Sequence, residues 1–124
     1  MRAGPRLGRV ETQIMHVLWE RGQATAREIT DALNAGRTVA HSTVQTMLRG
    51  LEAKGAVGHE VQGRTFVFRP LVPQTDVRRQ ATRDLVARLF GDSAVGLVAY
   101  LLQHERLSAA ELARIREIID EEEA

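Results

Sequence analysis

Leu7, Val10, Ile14, Val17 and Leu18 recur at three- and four-residue intervals near the start of the chain. That spacing gathers them on one side of a helix and predicts a first helix from about residue 7 to Arg21, stopped by Gly22. Thr25-Ala-Arg-Glu28 has the form of a capping box: the hydroxyl accepts from the N3 amide, and the Glu returns to the cap amide. It predicts a second helix over Thr25 to Asn34, with Ala26, Ile29 and Leu33 inward. A loop containing Gly36 follows, from Asn34 to Ala40. Ser42-Thr-Val-Gln45 repeats the box and opens a third helix. Its Val44, Met47, Leu48 and Leu51 stand at i, i+3, i+4 and i+7, which predicts one buried face. Lys54 falls in the last turn, where a cation complements the helix dipole, and Gly55 suits the left-handed position just beyond.

The period then changes from helical to alternating. Ala56 to Gln62 and Thr65 to Arg69 read as two strands joined by Gly63-Arg64. Gly63 supplies the positive φ that a tight hairpin needs. Phe66 and Phe68 share one face of the second strand. Pro70 and Pro73 bracket a composition break, so the expected domains are 1–72 and 73–124.

Three helix patterns follow the break. One covers about Gln74 to Phe90, with Val77, Ala81, Leu85 and Leu89 inward. Another covers about Ser93 to Gln103, with Val95, Val98, Leu101 and Leu102. The last starts at Ser108, where Ser108-Ala-Ala-Glu111 is a further capping box flanked by Leu107 and Leu112 as a hydrophobic staple. Its stripe is Leu112, Ile115, Ile118 and Ile119. Glu121 to Glu123 reads as a frayed acidic end. The fold class is therefore mainly α with a small β-hairpin: helix, turn, helix and wing, then a three-helix segment. That is the layout of a winged helix-turn-helix followed by a helical dimerisation domain.

Composition sharpens this picture. The 124 residues are 44% hydrophobic and 27% charged, which fits a folded protein. Cysteine is absent, which removes disulfides, thiolate metal sites and cysteine nucleophiles. Net charge is +1, but residues 1–70 hold ten Arg/Lys against six Asp/Glu, and residues 71–124 hold seven against ten. A basic front and an acidic rear suggest two jobs. No stretch is apolar for long enough to span a membrane, and Met1 to Leu7 lacks a signal core, so a cytoplasmic protein without membrane insertion is expected.

On a helical wheel, Ser42, Gln45, Thr46, Arg49 and Ala53 lie opposite the apolar stripe of the third helix. Gln pairs well with adenine and Arg with guanine, and Thr offers a methyl to thymine. Ser42 and Thr43 lie at the helix start, where free amides favour a phosphate. Arg64 at the hairpin tip suits a phosphate or the minor groove. The candidate DNA-binding residues are Ser42, Thr43, Gln45, Thr46, Arg49, Lys54 and Arg64, although Lys54 is equally a dipole-completing cation. The candidate dimerisation residues are Leu85, Leu89, Val98, Leu101, Leu102, Leu112, Ile115 and Ile119. A segment of about fifty residues is marginal as an isolated core, which favours an oligomer. His16, His41, His59 and His104 lack metal-ligand spacing, and no nucleophile elbow or phosphate loop occurs. Trp19 reads as core packing. No metal, cofactor or enzymatic activity is expected. The rival reading is a winged helix that docks a protein partner without sequence-specific DNA binding.

The chain resembles the BlaI/MecI penicillinase-repressor family. The resemblance rests on Leu7-Gly-Arg-Val-Glu11, Ile14-Met15, Leu18-Trp19, Gly22, Thr25, Glu28-Ile29, Leu33, Ser42-Thr-Val44, Thr46-Met-Leu48, Leu51, Lys54-Gly55, Gly63-Arg64 and Pro70-Leu71, with Leu89-Phe90 and Leu107-Ser108 in the rear half. It implies a homodimeric bacterial repressor on double-stranded palindromic operator DNA, controlling β-lactam resistance or a related stress response. Some members are inactivated by a regulatory protease after a membrane receptor senses a β-lactam. Three departures stand out. Gly50 replaces a common Arg, removing a cation beside the reading face. Tyr100-Leu101 stands where well-known members have the Asn-Phe cleavage pair. The C-terminal cysteine cluster of copper-responsive relatives is missing, which excludes copper sensing by that route.

Overall fold

The computed structural model describes residues 4–34 and 39–124; the loop expected around Gly36 lies mostly outside them. Six helices and three strands follow in the order α1 (Arg9–Arg21), β1 (Ala24–Thr25), α2 (Ala26–Leu33), α3 (His41–Ala53), β2 (Val57–Gln62), β3 (Thr65–Pro70), α4 (Gln74–Phe90), α5 (Ala94–His104) and α6 (Ala109–Glu123). The fold is thus mainly helical with a small antiparallel sheet, as the patterns predict. The winged part is built around the stripes read from the sequence. Ile14, Met15 and Leu18 of α1, Ile29 of α2, and Val44, Leu48 and Leu51 of α3 form one core with Ala24, Ala56, Val57 and Phe68.

Helix ends are set by local hydrogen bonds. The α2 box forms as expected: the Thr25 hydroxyl accepts from the Glu28 amide at 3.1 Å, and Glu28 accepts from the Thr25 amide at 2.9 Å. The Ser108 box forms the same way, at 3.1 and 2.9 Å. Leu7 falls outside α1, because the Glu11 carboxylate takes the Gly8 amide and fixes the helix entry there. The box at Ser42-Gln45 does not form. Ala40 caps α3, and its carbonyl already accepts from Thr43 and Val44 at 3.0 and 3.1 Å, so Ser42 lies inside the first turn. At the other end, Gly55 takes φ 78. The Ala56 amide then reaches the Leu51 carbonyl at 2.9 Å, and the Gly55 amide reaches Glu52 at 3.0 Å. This is a Schellman ending, with Leu51 and Ala56 both fully buried as its apolar contact. The acidic end is not frayed: α6 runs to Glu123, with Arg114 reaching both Glu117 and Glu121.

The hairpin pairs Gln62 with Thr65, leaving Gly63 and Arg64 as its two-residue loop. Gly63 takes φ 67, the positive value such a loop requires. The sheet order is β1-β3-β2, so the hairpin's second strand is central. The strand β1 was not legible in the sequence, since two residues carry no alternation. It ties Ala24 to Phe68 and Thr25 to Val67 and thereby docks the start of α2 on the hairpin.

The chain divides into two compact units, one up to Thr82 and one from Arg83. The division lies inside α4, beyond the Pro70–Pro73 break. Val77, in the first turn of α4, is buried. The Trp19 indole N–H donates to the Val72 carbonyl at 2.8 Å and holds the approach to α4. From Arg83 onward no side chain is buried. Among the described residues, no single helix is long and apolar enough to cross a membrane.

One ion pair joins α1 to the end of α3. Lys54 Nζ lies 2.8 and 3.0 Å from the two Glu11 oxygens, and 3.2 Å from the Arg6 carbonyl. Burial raises the Glu11 pKa, but the Lys54 hydrogen bond, the Gly8 amide and the Lys54 charge outweigh it, and the net shift is downward from 4.5. A carboxylate depressed by folding stabilises fully above its unfolded pKa and loses that contribution as pH falls through the folded value. Comparing Glu11→Gln with the parent by urea unfolding is therefore expected to show a stability gap at pH 7 that closes on acidification below about pH 4.5. A gap constant from pH 7 to pH 3 would contradict this. Gly50 belongs to the same corner: a Cβ built there lies 3.7 Å from Glu11 Oε2, an ordinary contact. Gly50→Ala is expected to raise stability by roughly 0.5–1 kcal/mol through the unfolded chain and helix propensity. A lower urea midpoint would refute that reading.

Candidate nucleic-acid interface

With Val44, Leu48 and Leu51 turned into the core, α3 presents Ser42, Gln45, Thr46, Arg49 and Ala53 to solvent. These are the five residues that the wheel places outward. Beside them runs a groove of about 660 Å³, lined by Thr25, Ala26 and Arg27 from the start of α2, by His41, Gln45, Leu48, Arg49, Glu52 and Ala53 of α3, and by His59, Arg64, Thr65, Phe66 and Phe68 of the hairpin. The structure therefore brings Gln45, Arg49 and Arg64 together. Ser42 and Thr46 are exposed on α3 but do not line the groove, and Thr43 is half-buried. The Thr46 hydroxyl donates to the Ser42 carbonyl at 3.0 Å, so its proton is committed within the helix.

Lys54 is not part of this arrangement. Its ammonium is engaged by Glu11 on the α1 side, and it does not line the groove. In the structure Lys54 neutralises a largely buried carboxylate. Gly50 changes meaning for the same reason. It faces Glu11, so a cation at that position would meet the Glu11–Lys54 pair.

A polar contact ties the hairpin to α3, and an aromatic layer lies within the hairpin beside it. His59 Nδ1 lies 2.7 Å from Glu52 Oε1. Phe66 stacks on the His59 ring at 4.2 Å and 13°, and Phe68 packs behind at 5.7 Å from His59. Glu52, the one carboxylate of the groove, is thus occupied, whereas Arg27, Arg49 and Arg64 have no ion-pair partner among the described residues. Three unpaired guanidinium groups around one groove give it a cationic field suited to phosphate and guanine. Sequence reasoning missed Arg27. Its signal was available, since a cation in the first turn of a capped helix opposes the dipole and gains nothing locally. The groove-side place of His59 follows from the two-residue turn, which sets His59 opposite Phe68.

Among the described residues, no three His, Cys, Asp or Glu side chains are grouped to hold a metal ion. The candidate dimerisation residues are all present on helices but not on one footing. Leu85, Leu112 and Ile115 are half-buried, whereas Leu89, Val98, Leu101, Leu102 and Ile119 are exposed within the chain.

The chain is similar in sequence and fold to known repressors. The penicillinase repressor of Bacillus licheniformis is 27% identical over 121 residues, covering 98% of this chain and 94% of that protein. The transcriptional regulator BlaI of Mycobacterium tuberculosis (strain CDC 1551 / Oshkosh) is 30% identical over 122 residues, covering 96% and 86%. The solution structure of the B. licheniformis BlaI monomeric form in complex with the blaP half-operator matches with a TM-score of 0.53 at 33% identity, over 61% of this chain and 93% of that one. The penicillinase repressor profile matches residues 7–121, and the chain accordingly belongs to the penicillinase repressor family, whose members are transcriptional repressors and not enzymes.

Proposed function

We propose that this repressor acts in the cytoplasm by holding double-stranded, palindromic operator DNA as a homodimer. Each copy lays α3 in the major groove and sets Arg64 on the backbone or in the adjacent minor groove. The observation that carries the reading is the groove in which Gln45, Arg49 and Arg64 converge with no competing free carboxylate. Gln45 and Arg49 are exposed one helical turn apart, a spacing that suits neighbouring base edges. Ser42 and Thr43, in the first turn of α3, would meet a phosphate. That BlaI from B. licheniformis is described bound to a half-operator supports DNA as the occupant.

The homodimer is supported by the unit from Arg83 onward. Its helices carry exposed Leu89, Val98, Leu101, Leu102, Ile118 and Ile119. A helical segment with apolar stripes and no buried side chain lacks a core of its own, and a second copy can supply one. A regulatory protease acting at Tyr100-Leu101 would have to open α5, because that peptide bond lies inside the helix.

Two outcomes are expected. In analytical ultracentrifugation at micromolar concentration, the chain should sediment as a dimer, and Ile119→Lys should shift it toward monomer; a parent chain that sediments cleanly as monomer would sink the dimer. In titrations against a selected operator, binding should weaken steeply with salt, as phosphate contacts require and a protein-docking face does not. Arg49→Ala should cost roughly 1–3 kcal/mol per site and relax preference at one base pair, whereas Arg64→Ala should weaken all duplexes alike. Equal losses on operator and scrambled DNA for Arg49→Ala would refute base reading by that residue.

A further inference from the structure

Thr30 of α2 and His41 of α3 meet beside the groove, and their hydrogen bonding fixes more than the packing of two helices. Thr30 is only 2% exposed. Its hydroxyl donates to the Ala26 carbonyl one turn back, at 2.8 Å, and lies 3.0 Å from His41 Nδ1. A hydroxyl has one proton. With that proton on Ala26, Thr30 can only accept from the ring, so the hydrogen must sit on Nδ1. Were Nδ1 bare, one of the two close contacts would press lone pair against lone pair in a buried place. In the neutral ring this leaves Nε2 without a hydrogen, as an acceptor.

His41 is the first residue of α3, after the cap at Ala40, and it lines the groove with Gln45 and Arg49. The N-terminal residues of a recognition helix are the ones that meet base edges. Resting on the DNA-binding reading above, we propose that His41 is a further specificity-determining residue. Its neutral Nε2 accepts a hydrogen bond from an exocyclic amino group in the major groove, adenine N6 or cytosine N4. Thr30 is its positioning residue, buried away from DNA, and acts by holding the tautomer. Guanine and thymine present only acceptors at the corresponding edge and are rejected, lone pair facing lone pair.

The test is a selection on random duplex DNA with the full chain at pH 8, above the range in which histidine gains charge. The parent chain is expected to prefer one base pair at a position of each half-site, read through the amino group that the pair presents in the major groove. His41→Ala should flatten that position by roughly five- to tenfold, the effect of one lost hydrogen bond, and leave the others intact. Thr30→Val keeps the side-chain shape but removes the acceptor. It should flatten the same position without weakening binding to unrelated duplex, while Thr30→Ser should retain the preference. Ring ¹⁵N shifts provide a readout independent of DNA: His41 should carry its hydrogen on Nδ1 in the parent and become a tautomer mixture in Thr30→Val. An unchanged selected sequence in His41→Ala, an unchanged preference at that position in Thr30→Val, or an Nε2–H ring in the parent would each overturn the proposal. Failure of the parent chain to select any duplex would instead overturn the DNA-binding reading, and this inference with it.

Discussion

The burial of one side of α3 governs how the rest of the winged unit is used. Val44, Leu48 and Leu51 are at 0–1% exposure, in one core with side chains from α1, α2 and the sheet. Burying a side chain of this size is worth roughly 1.5–3 kcal/mol. Rotating the helix by one residue would bring Gln45 or Arg49 into the core and leave a polar or charged group without partners, at a cost larger still. The outward direction of Gln45, Thr46 and Arg49 is therefore enforced by what lies behind them. A recognition surface made of flexible polar side chains gets its rigidity from an apolar face that it does not display.

The ends of α3 are fixed by different chemistry, and charge is distributed accordingly. At its start, the Thr30–His41 contact joins α2 to α3. Near its end, Glu52 holds His59 and so positions the hairpin, while Lys54 turns the other way to neutralise Glu11. That cation and the Gly8 amide favour the ionised Glu11 against the cost of its burial. The consequence is a sorting of the basic residues. Lys54 is tied up in holding the fold, and Arg27, Arg49 and Arg64 remain around the groove. A modest net charge of +1 thus coexists with a locally cationic face.

The unit from Arg83 onward obeys another constraint. Its helices are well capped, at Ser93 and Ser108, so local hydrogen bonding is satisfied. What it lacks is volume: three short helices cannot enclose their own apolar stripes, and the residues along them stay open to water. Helical order there is set by caps and propensity, and the need for a covering surface is set by size. The aromatic contacts of Tyr100 with Phe90 and His104 cover part of α5 without closing a core.

Much of this was written in local sequence, because local sequence is what caps, periods and tight turns depend on. The boxes at Thr25 and Ser108, the stripe of α3, the Gly55 ending and the Gly63-Arg64 turn each involve residues within seven positions of one another, and each formed as read. The span of α4 and the exposed face of α3 followed from the same periodicity. Some misreadings turn on competing local geometry, and others on partners distant in the chain. Ser42-Gln45 has the form of a box, yet α3 begins earlier, at a backbone geometry already set by Ala40. Nothing local could announce that Lys54 pairs with Glu11, forty-three positions away. The strand β1 exists only because β3 lies beside it, and two residues alone carry no period. Sequence determined which faces are apolar and roughly where each helix lies. Tertiary structure decided which charged groups are spent on one another and which remain for a ligand, because ion pairs form by proximity in space, which periodicity along the chain does not encode.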